Sequence, residues 1–560
     1  MIGISAIGSF LHGIRNAGAR AARATMEQIS ALTGGHGGLD AGKLNRLNKY
    51  RQVGSISPNN LPTDQIQRCR WQAWELYRNN PHARKIVNAL LSKVVGCGLH
   101  PQSHAVDSDG VPHMAFRARA KKLWEAINSG FDYRGRPGQG GLSRAGLERM
   151  ALQSTILSGE TLYRLKPITT REQLKRGLPI PLVLQLIHPE RLDENQLLAR
   201  APTSPDNRIY RGIEVDSDGQ RVAYWLLPNH PGDFIIGTFG ESKPIAASEI
   251  GHIYISDDID QLRGLSWFAP AILQLRDTGD YQYNELISSA IGACVALVYK
   301  ASSPGGTLGL QLPSDGDTTD ANGNQITAFT PGMVVRSDDP DKVKMLSPGR
   351  PSTSAADFIN HLMRSTATAL PGTKSSTITG DYRNSSFSSE KSADNDAWPE
   401  IEALQHWLAS GFHQPIYEQV IDAGIESGYF DGVITASEYM RRRSELICAS
   451  WQGPVARSIN PVDDAKAAKE RIKNGTSTPQ IEAAMIGRNW QEILQGVAEF
   501  REYAESLDID EEYIDQCLGI DTTQTISETD TADAADMVDT ADPSQESSDE
   551  TAKPQIAAAA

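Results

Sequence analysis

The spacing of apolar positions changes period several times along the chain. Ile86, Leu90 and Val94 fall on one helical face, with Val87, Leu91 and Val95 beside them. They predict a helix that Pro81 opens and that Gly96 and Gly98 close. Asp64 and Gln67 predict a capping box at the start of an earlier helix. Phe116, Ala120, Leu123 and Ile127 predict a helix over residues 116–128, and another is expected over 143–158. The period then falls to that of a strand. Residues 161–165 and 182–187 read as strands, and residues 209–215 and 221–226 flank the turn Asp216-Ser217-Asp218-Gly219 as a hairpin. Residues 249–256 add a strand to what is expected to be a mixed or antiparallel β layer. Helical spacing returns over 266–286 and 355–369, where Pro371-Gly372 ends it. Between these two stretches, residues 301–347 are rich in Gly, Ser and Asp, with short β pieces that include 332–335. Residues 373–390 read as a polar loop, and Ile401, Leu404, Leu408, Phe412 and Ile416 mark a long helical stretch. The fold class is α+β.

The two ends differ from this body. The N-terminal stretch is apolar first, and Arg15, Arg20 and Arg23 follow. A secretory signal places its positive charges before the apolar part. The stretch reads either as an amphipathic docking or targeting arm or as a flexible basic tail. Gly34-Gly35-His36-Gly37-Gly38 lacks a preceding strand and a following Gly-Lys-Ser/Thr, so it reads as a hinge and not as a phosphate loop. At the other end, residues 521–550 hold ten acidic residues and no basic ones, which predicts a disordered acidic tail. The best membrane candidate, residues 291–299, is too short to span a bilayer and reads as a buried segment.

Composition narrows the function. The 560 residues exceed what one core usually organises. A net charge of -15 is opposite in sign to that of a protein gripping nucleic acid over its whole surface. Cys69, Cys97, Cys294, Cys448 and Cys517 are scattered, without zinc-ligand spacing, and read as thiols of a reducing compartment. No nucleophile elbow, zincin, P-loop or dinucleotide motif occurs, so neither an enzyme nor a cofactor is expected. His100, His104 and His113, with Asp107 and Asp109 between, offer metal-ligating types without a common spacing, and a polar loop is the simpler reading. Asp338, Asp339, Asp341 and Lys344 form either a nuclease-like cluster or a solvated turn. His406 and His413 lie two turns apart and are expected to share a helical face as an exposed or hydrogen-bonded pair.

Several segments, in order, carry a resemblance. They are Asn80-Pro81-His82-Ala83 leading to Val94-Val95-Gly96-Cys97-Gly98-Leu99, the hairpin GIEVDSDGQRVAYWL, and Gly264-Leu265-Ser266-Trp267 with Pro270. TITGDYRNSSFSSEK, Phe412-His413-Gln414-Pro415-Ile416-Tyr417, Trp451-Gln452-Gly453-Pro454 before Ile459-Asn460-Pro461, and NGTSTPQIEAAMIGRNWQEIL follow. Together, over roughly residues 64–507, they resemble the lambda-type phage portal family. One departure is the 384–391 stretch. The family tends to carry an aromatic closer to its Asn and an Arg after the serines, where this chain has Glu390-Lys391.

The resemblance implies a non-enzymatic subunit of a dodecameric ring at one capsid vertex. Double-stranded DNA would pass through it, and terminase, the major capsid protein and head–tail connector proteins would dock to it. It would sit in the virion, and in the host cytoplasm during assembly, with no membrane. Its parts map as a basic arm (1–60), a wing of helices and β layer (61–260), a stem helix (261–300) and a clip (301–350). A second stem helix with the channel loop (351–390), a long helix returning to the wing (391–455), crown helices (456–520) and the tail (521–560) complete it. In the loop, Lys374, Ser375, Ser376, Thr377, Arg383 and Asn384 are the expected DNA contacts, though a plain surface linker fits the residues as well. Lys374 or Arg383 could instead pair with Asp381. Changing both cations to Glu is expected to spare ring assembly and thermal stability while impairing packaging. The rival readings are a metal-dependent nuclease using Asp339, Asp341 and Lys344, or another DNA-processing enzyme, and a host-derived adaptor using the acidic tail.

Overall fold

The computed structural model describes residues 57–198, 200–233, 240–300, 333–337, 355–383, 386–456 and 460–518. The chain divides into two units, residues 1–62 and 63–560. In the first, the described part is a short 3-10 turn at Pro58–Asn60 capped by Ser57. The basic arm, the 34–38 hinge, the Asp338–Lys344 cluster and the acidic tail lie outside the described residues.

The second unit opens with α1 (Thr63–Asn79) and α2 (Pro81–Val94). Asn80 caps α2 by accepting from His82 N at 2.9 Å and Ala83 N at 3.0 Å, while Pro81 occupies a position that needs no N–H. All six predicted apolar positions of this helix are buried. The predicted capping box at α1 does not form as read, because the Gln67 amide donates to Glu194 at 2.7 Å. Strand β1 (His100–Ser103) leads to α3 (Met114–Ala126) and α4 (Arg144–Ser158). Gly159 caps α4 in the left-handed region, at φ 92°.

Strand β2 (Glu160–Pro167), helix α5 (Thr170–Arg176) and strand β3 (Leu182–Ile187) follow. The run 209–215 is not one strand, as its composition suggests. Arg211 (φ 47°) and Gly212 (φ 84°) fold it into a tight hairpin of β4 (Arg208–Tyr210) and β5 (Ile213–Val215). β6 (Arg221–Leu226) and β7 (Lys243–Ala246) complete an antiparallel sheet of order β4-β5-β6-β7. β8 (Gly251–Tyr254) pairs antiparallel with β2, giving the sheet β3-β2-β8. Leu162, Ile187, Leu192, Ile213, Tyr224 and Ile250 fill the space where these two sheets meet.

Helix α6 (Ile272–Cys294) runs into β9 (Val295–Lys300), so the stretch 291–299 is half helix and half strand. β9 pairs in parallel with β10 (Met333–Ser337). Helix α7 (Ala355–Ala367) and the five-residue α8 (Ser375–Thr379) precede the long α9 (Phe387–Leu408). A π-helical turn, Ala409–His413, joins α9 to α10 (Gln414–Glu426). Pro415 has no N–H to offer the Gly411 carbonyl four residues back, and the buried Tyr163 hydroxyl donates to that oxygen instead, at 3.1 Å. Burial pushes the Tyr163 phenol well above its ordinary range, so it stays a donor. The extra residue of the π turn also separates the two histidines expected on one face: His406 is exposed and His413 is buried. Helix α11 (Ala436–Leu446) and strand β11 (Ala449–Gln452) return the chain to β1, with His100 opposite Gln452. Four helices close the described chain: α12 (Pro461–Lys473), α13 (Pro479–Met485), α14 (Trp490–Ser506) and α15 (Glu511–Leu518).

One buried cluster of charge ties these parts together. Glu160, at the start of β2, has no exposed surface. It accepts from Arg263 at 2.5 Å and 2.8 Å, lies 3.3 Å from Arg70 of α1, and meets His252 of β8 at 3.0 Å. Glu194 accepts from Arg70 at 2.8 Å and from Arg263 at 3.0 Å. Arg263 also donates to the Arg211 carbonyl at 2.8 Å, and the Gly264 N–H bonds Glu160 at 3.0 Å. Two guanidinium groups thus face two carboxylates. Burial alone would raise the Glu160 carboxyl, but Arg263 and His252 outweigh it and hold it well below the usual carboxylate range. Burial also opposes the lowering of Glu194, where Arg263 and Arg70 prevail, and of Glu148, where His413 and Arg144 prevail. Burial pushes His252 down.

Arg263→Met should destabilise the chain by about 3–5 kcal/mol in urea denaturation at neutral pH, because it strands buried carboxylates. An unchanged midpoint would refute a coupled cluster. The pH dependence has a definite sign. Each carboxyl titrates lower when folded, and His252 is held neutral, so the unfolded chain takes up protons first as the solution is acidified. The thermal midpoint should therefore fall steadily from about pH 6.5 downward.

Candidate functional site

The segment expected to touch DNA begins where α7 gives out. Gly372 takes φ +61°, and a Cβ there would come within 2.3 Å of Ile401 Cδ1, so the chain turns against α9 at a position only glycine fits. The Gly372 N–H bonds Glu400, and its carbonyl accepts from Lys93 Nζ at 3.2 Å. The residues that follow are not a free loop. Ser375–Thr379 forms one helical turn, stopped by Gly380 at φ 68°. Ile378 is buried beneath it.

The cations of this segment are engaged. Lys374 Nζ lies 2.9 Å from Glu390 and 2.6 Å from Asp394 on α9. Burial would lower this ammonium, but the hydrogen bonds to Asp394 and Glu390 outweigh it and raise it. Nearby Lys93 is pushed down by burial and by the Lys374 charge. Ser376 is buried and donates to Glu390 at 3.3 Å. Ser375 and Thr377 are half-buried. Arg383 is exposed and pairs locally with Asp381 at 2.7 Å and 2.9 Å. Those hydrogen bonds hold the Asp381 carboxyl down at about 2. Asn384 lies outside the described residues. The long helix begins at Phe387, capped reciprocally by Ser386 and Ser389. Of the two cations, Arg383 alone points to solvent; Lys374 pins the segment to α9. A Glu at position 374 would stand against Glu390 and Asp394, so the expectation that the double Glu change spares stability does not survive the geometry.

The histidines read as loop residues stay apart. His100 sits in β1, His104 Nε2 meets Ser450 Oγ at 2.9 Å, and His113 caps α3. Sequence spacing missed a different group. His188 and Glu190 lie on the turn after β3, and His230 follows β6, 40 residues further on. One ligand atom from each falls within 4.8 Å of the others. Burial, with the charges of His230, Arg70 and Arg78, lowers His188 to about 4, so its ring is neutral. A cavity of about 310 Å³ beside His188 is lined by Trp74, Tyr133, Met150 and Leu186.

The chain is a mixed helix-and-sheet protein of the α+β class. A family model described as phage portal protein, lambda family, matches residues 44–405, and the chain belongs to that family. A probable portal protein of Halomonas phage phiHAP-1 is 24% identical over 326 residues, covering 56% of this chain and 59% of the relative. The chain thus spans under two thirds of the length of that curated relative. Among solved structures, the neck of a native GTA particle computed with C12 symmetry aligns at 13% identity and TM-score 0.32, over 74% of this chain and 93% of that one. The neck of an empty GTA particle computed with C6 symmetry aligns at 13% identity and TM-score 0.35, over 79% and 98%. These likenesses are too loose to define a shared geometry.

Lys374→Met should lower stability by about 1–2 kcal/mol, since it leaves Glu390 and Asp394 facing each other without a cation. Arg383→Met should leave the melting midpoint unchanged. Equal effects in calorimetry would refute the division of roles.

Proposed function

We propose that this chain is the portal subunit of a tailed phage: a closed dodecameric ring at one capsid vertex. Double-stranded DNA is packaged and ejected through it, and terminase, the major capsid protein and head–tail connector proteins dock to it. The observation that carries this reading is membership of the lambda portal family over residues 44–405. The ring is the natural partner for apolar surface that a single chain leaves uncovered. Leu273, Tyr283, Leu286 and Ile287 are exposed along α6, and Ile493, Leu494, Val497, Phe500 and Tyr503 along α14. Neighbouring copies would cover such stripes in a head-to-tail ring.

The wing, stem, clip and crown then correspond to residues 61–260, 261–300 with 351–390, 301–350 and 456–520. The 373–389 segment faces the channel. Its hydroxyls and the single outward guanidinium of Arg383 brush a moving duplex without adding much salt-dependent affinity. Portal work needs no catalytic group in this chain, and the energy of translocation comes from its terminase partner.

Negative-stain images and native mass of the purified full-length protein should show a closed ring with a central channel. Only monomers or dimers, both in buffer and in assembled heads, would overturn the proposal. Leu286→Glu with Phe500→Glu should shift the population toward smaller species while the far-UV spectrum is kept. Truncation after Ile520 should still give rings.

A further inference from the structure

We infer that His188, Glu190 and His230 form a binding site for one divalent transition-metal cation of the zinc class, which staples two sheets of the wing together. The site is a matter of placement. His188 and Glu190 stand at either side of Pro189, at the end of β3 in the sheet β3-β2-β8. His230 stands past the end of β6, in the sheet β4-β5-β6-β7.

The scaffold beneath them is fixed by hydrogen bonds between the same two stretches, two of them backbone to backbone. Leu227 N donates to Arg191 O at 2.7 Å, Arg191 Nε donates to Leu227 O at 3.0 Å, and Asp193 N donates to Trp225 O at 3.0 Å. The ligand types therefore meet on a frame that is already held, which is what a metal site requires of its support.

The donor set and its spacing suit the ion. Two imidazoles and a carboxylate are the nitrogen and oxygen ligands that zinc accepts, with a fourth position left for water. His230 Nε2 and Glu190 Oε2 lie 3.2 Å apart, close to the ligand–ligand separation of a tetrahedral zinc site, and all three ligand atoms are within 4.8 Å. The two imidazole rings meet edge to face, with centroids 4.6 Å apart. The Trp71 indole donates to Glu190 Oε1 at 3.1 Å, which orients the carboxylate and leaves Oε2 toward His230.

Without an ion, both imidazoles are held by hydrogen bonds from the backbone. His188 Nδ1 accepts from Glu190 N at 3.3 Å, and His230 Nδ1 accepts from Gly232 N at 3.0 Å. With Nδ1 as acceptor, a neutral ring carries its proton on Nε2, the atom that in His230 stands 3.2 Å from Glu190 Oε2. Metal binding replaces this proton, loosens the contact at the Gly232 turn, and puts the cation between Nε2 and Oε2. The two arrangements make different predictions for added zinc.

Full-length protein, purified without chelators, is titrated with zinc against a chromophoric chelator and, separately, with cobalt(II) under a visible spectrometer. One zinc should bind per chain, and cobalt should give the intense d–d bands of four-coordinate nitrogen and oxygen ligation. His230→Ala should abolish saturable binding, and Trp71→Phe should weaken it about tenfold. The inference is overturned if the wild-type chain takes up no zinc, if cobalt shows only the weak spectrum of the aquo ion, or if His230→Ala binds like the wild type. The cobalt spectrum needs no variant, so it decides the question even if His230→Ala fails to fold.

Discussion

A carboxylate without any contact to water must be neutralised where it stands, and Glu160 imposes that condition on five separate stretches of chain. Arg70 comes from α1, Glu194 from the turn after β3, Arg211 from the β4–β5 hairpin, His252 from β8 and Arg263 from the strand-to-helix connection before α6. Withdrawing Arg70 or Arg263 would take a cation from both buried carboxylates. The glycines around the cluster serve the same end. A Cβ on Gly159 would come within 2.4 Å of the Leu265 carbonyl carbon, and one on Gly264 within 2.1 Å of the Gly159 carbonyl oxygen, so the two segments cross where a side chain has no room. The cluster thus fixes where the connection into α6 leaves the two sheets.

Much of this architecture was legible from periodicity. The apolar faces of α2, α3 and α9 came through residue by residue, because a helical stripe is a local pattern that the core merely accepts. Strand β3 matched its predicted span for the same reason. The misses share a cause of a different kind. The hairpin inside 209–215 turns on Arg211, an arginine at positive φ, where composition signals only a strand. The π turn at 409–413 is written in one proline and in a tyrosine some 250 residues away. Neither partner announces the other along the sequence.

The chemistry was less legible than the fold. The family resemblance rested on short segments whose physical reasons lie in long-range contacts. Asn80 is a cap, Gly96 makes room for Pro454 at a position where a Cβ would come within 2.6 Å, and Trp451 donates to Gln414 at 3.1 Å. Composition marked Lys374 and Arg383 as equivalent cations, but their surroundings are opposite. One is set between two carboxylates of α9, and the other is turned outward beside Asp381. The Glu390 that departs from the family pattern is the very group that receives Lys374 and Ser376. His188, Glu190 and His230 left no motif at all, since two sheets must meet before the three become neighbours.

The π turn between α9 and α10 acts as a phase shift in a rod otherwise read at constant pitch. Upstream, the rod faces α2; downstream, it faces α3. An alignment that steps through this region at ideal helical spacing slips by one position at residues 409–413. In relatives that lack a proline at the position of Pro415 and a phenol at that of Tyr163, the single-residue gap belongs inside this turn. Core positions beyond it, such as Tyr417, Val420 and Ile421, then have to be matched from the C-terminal side.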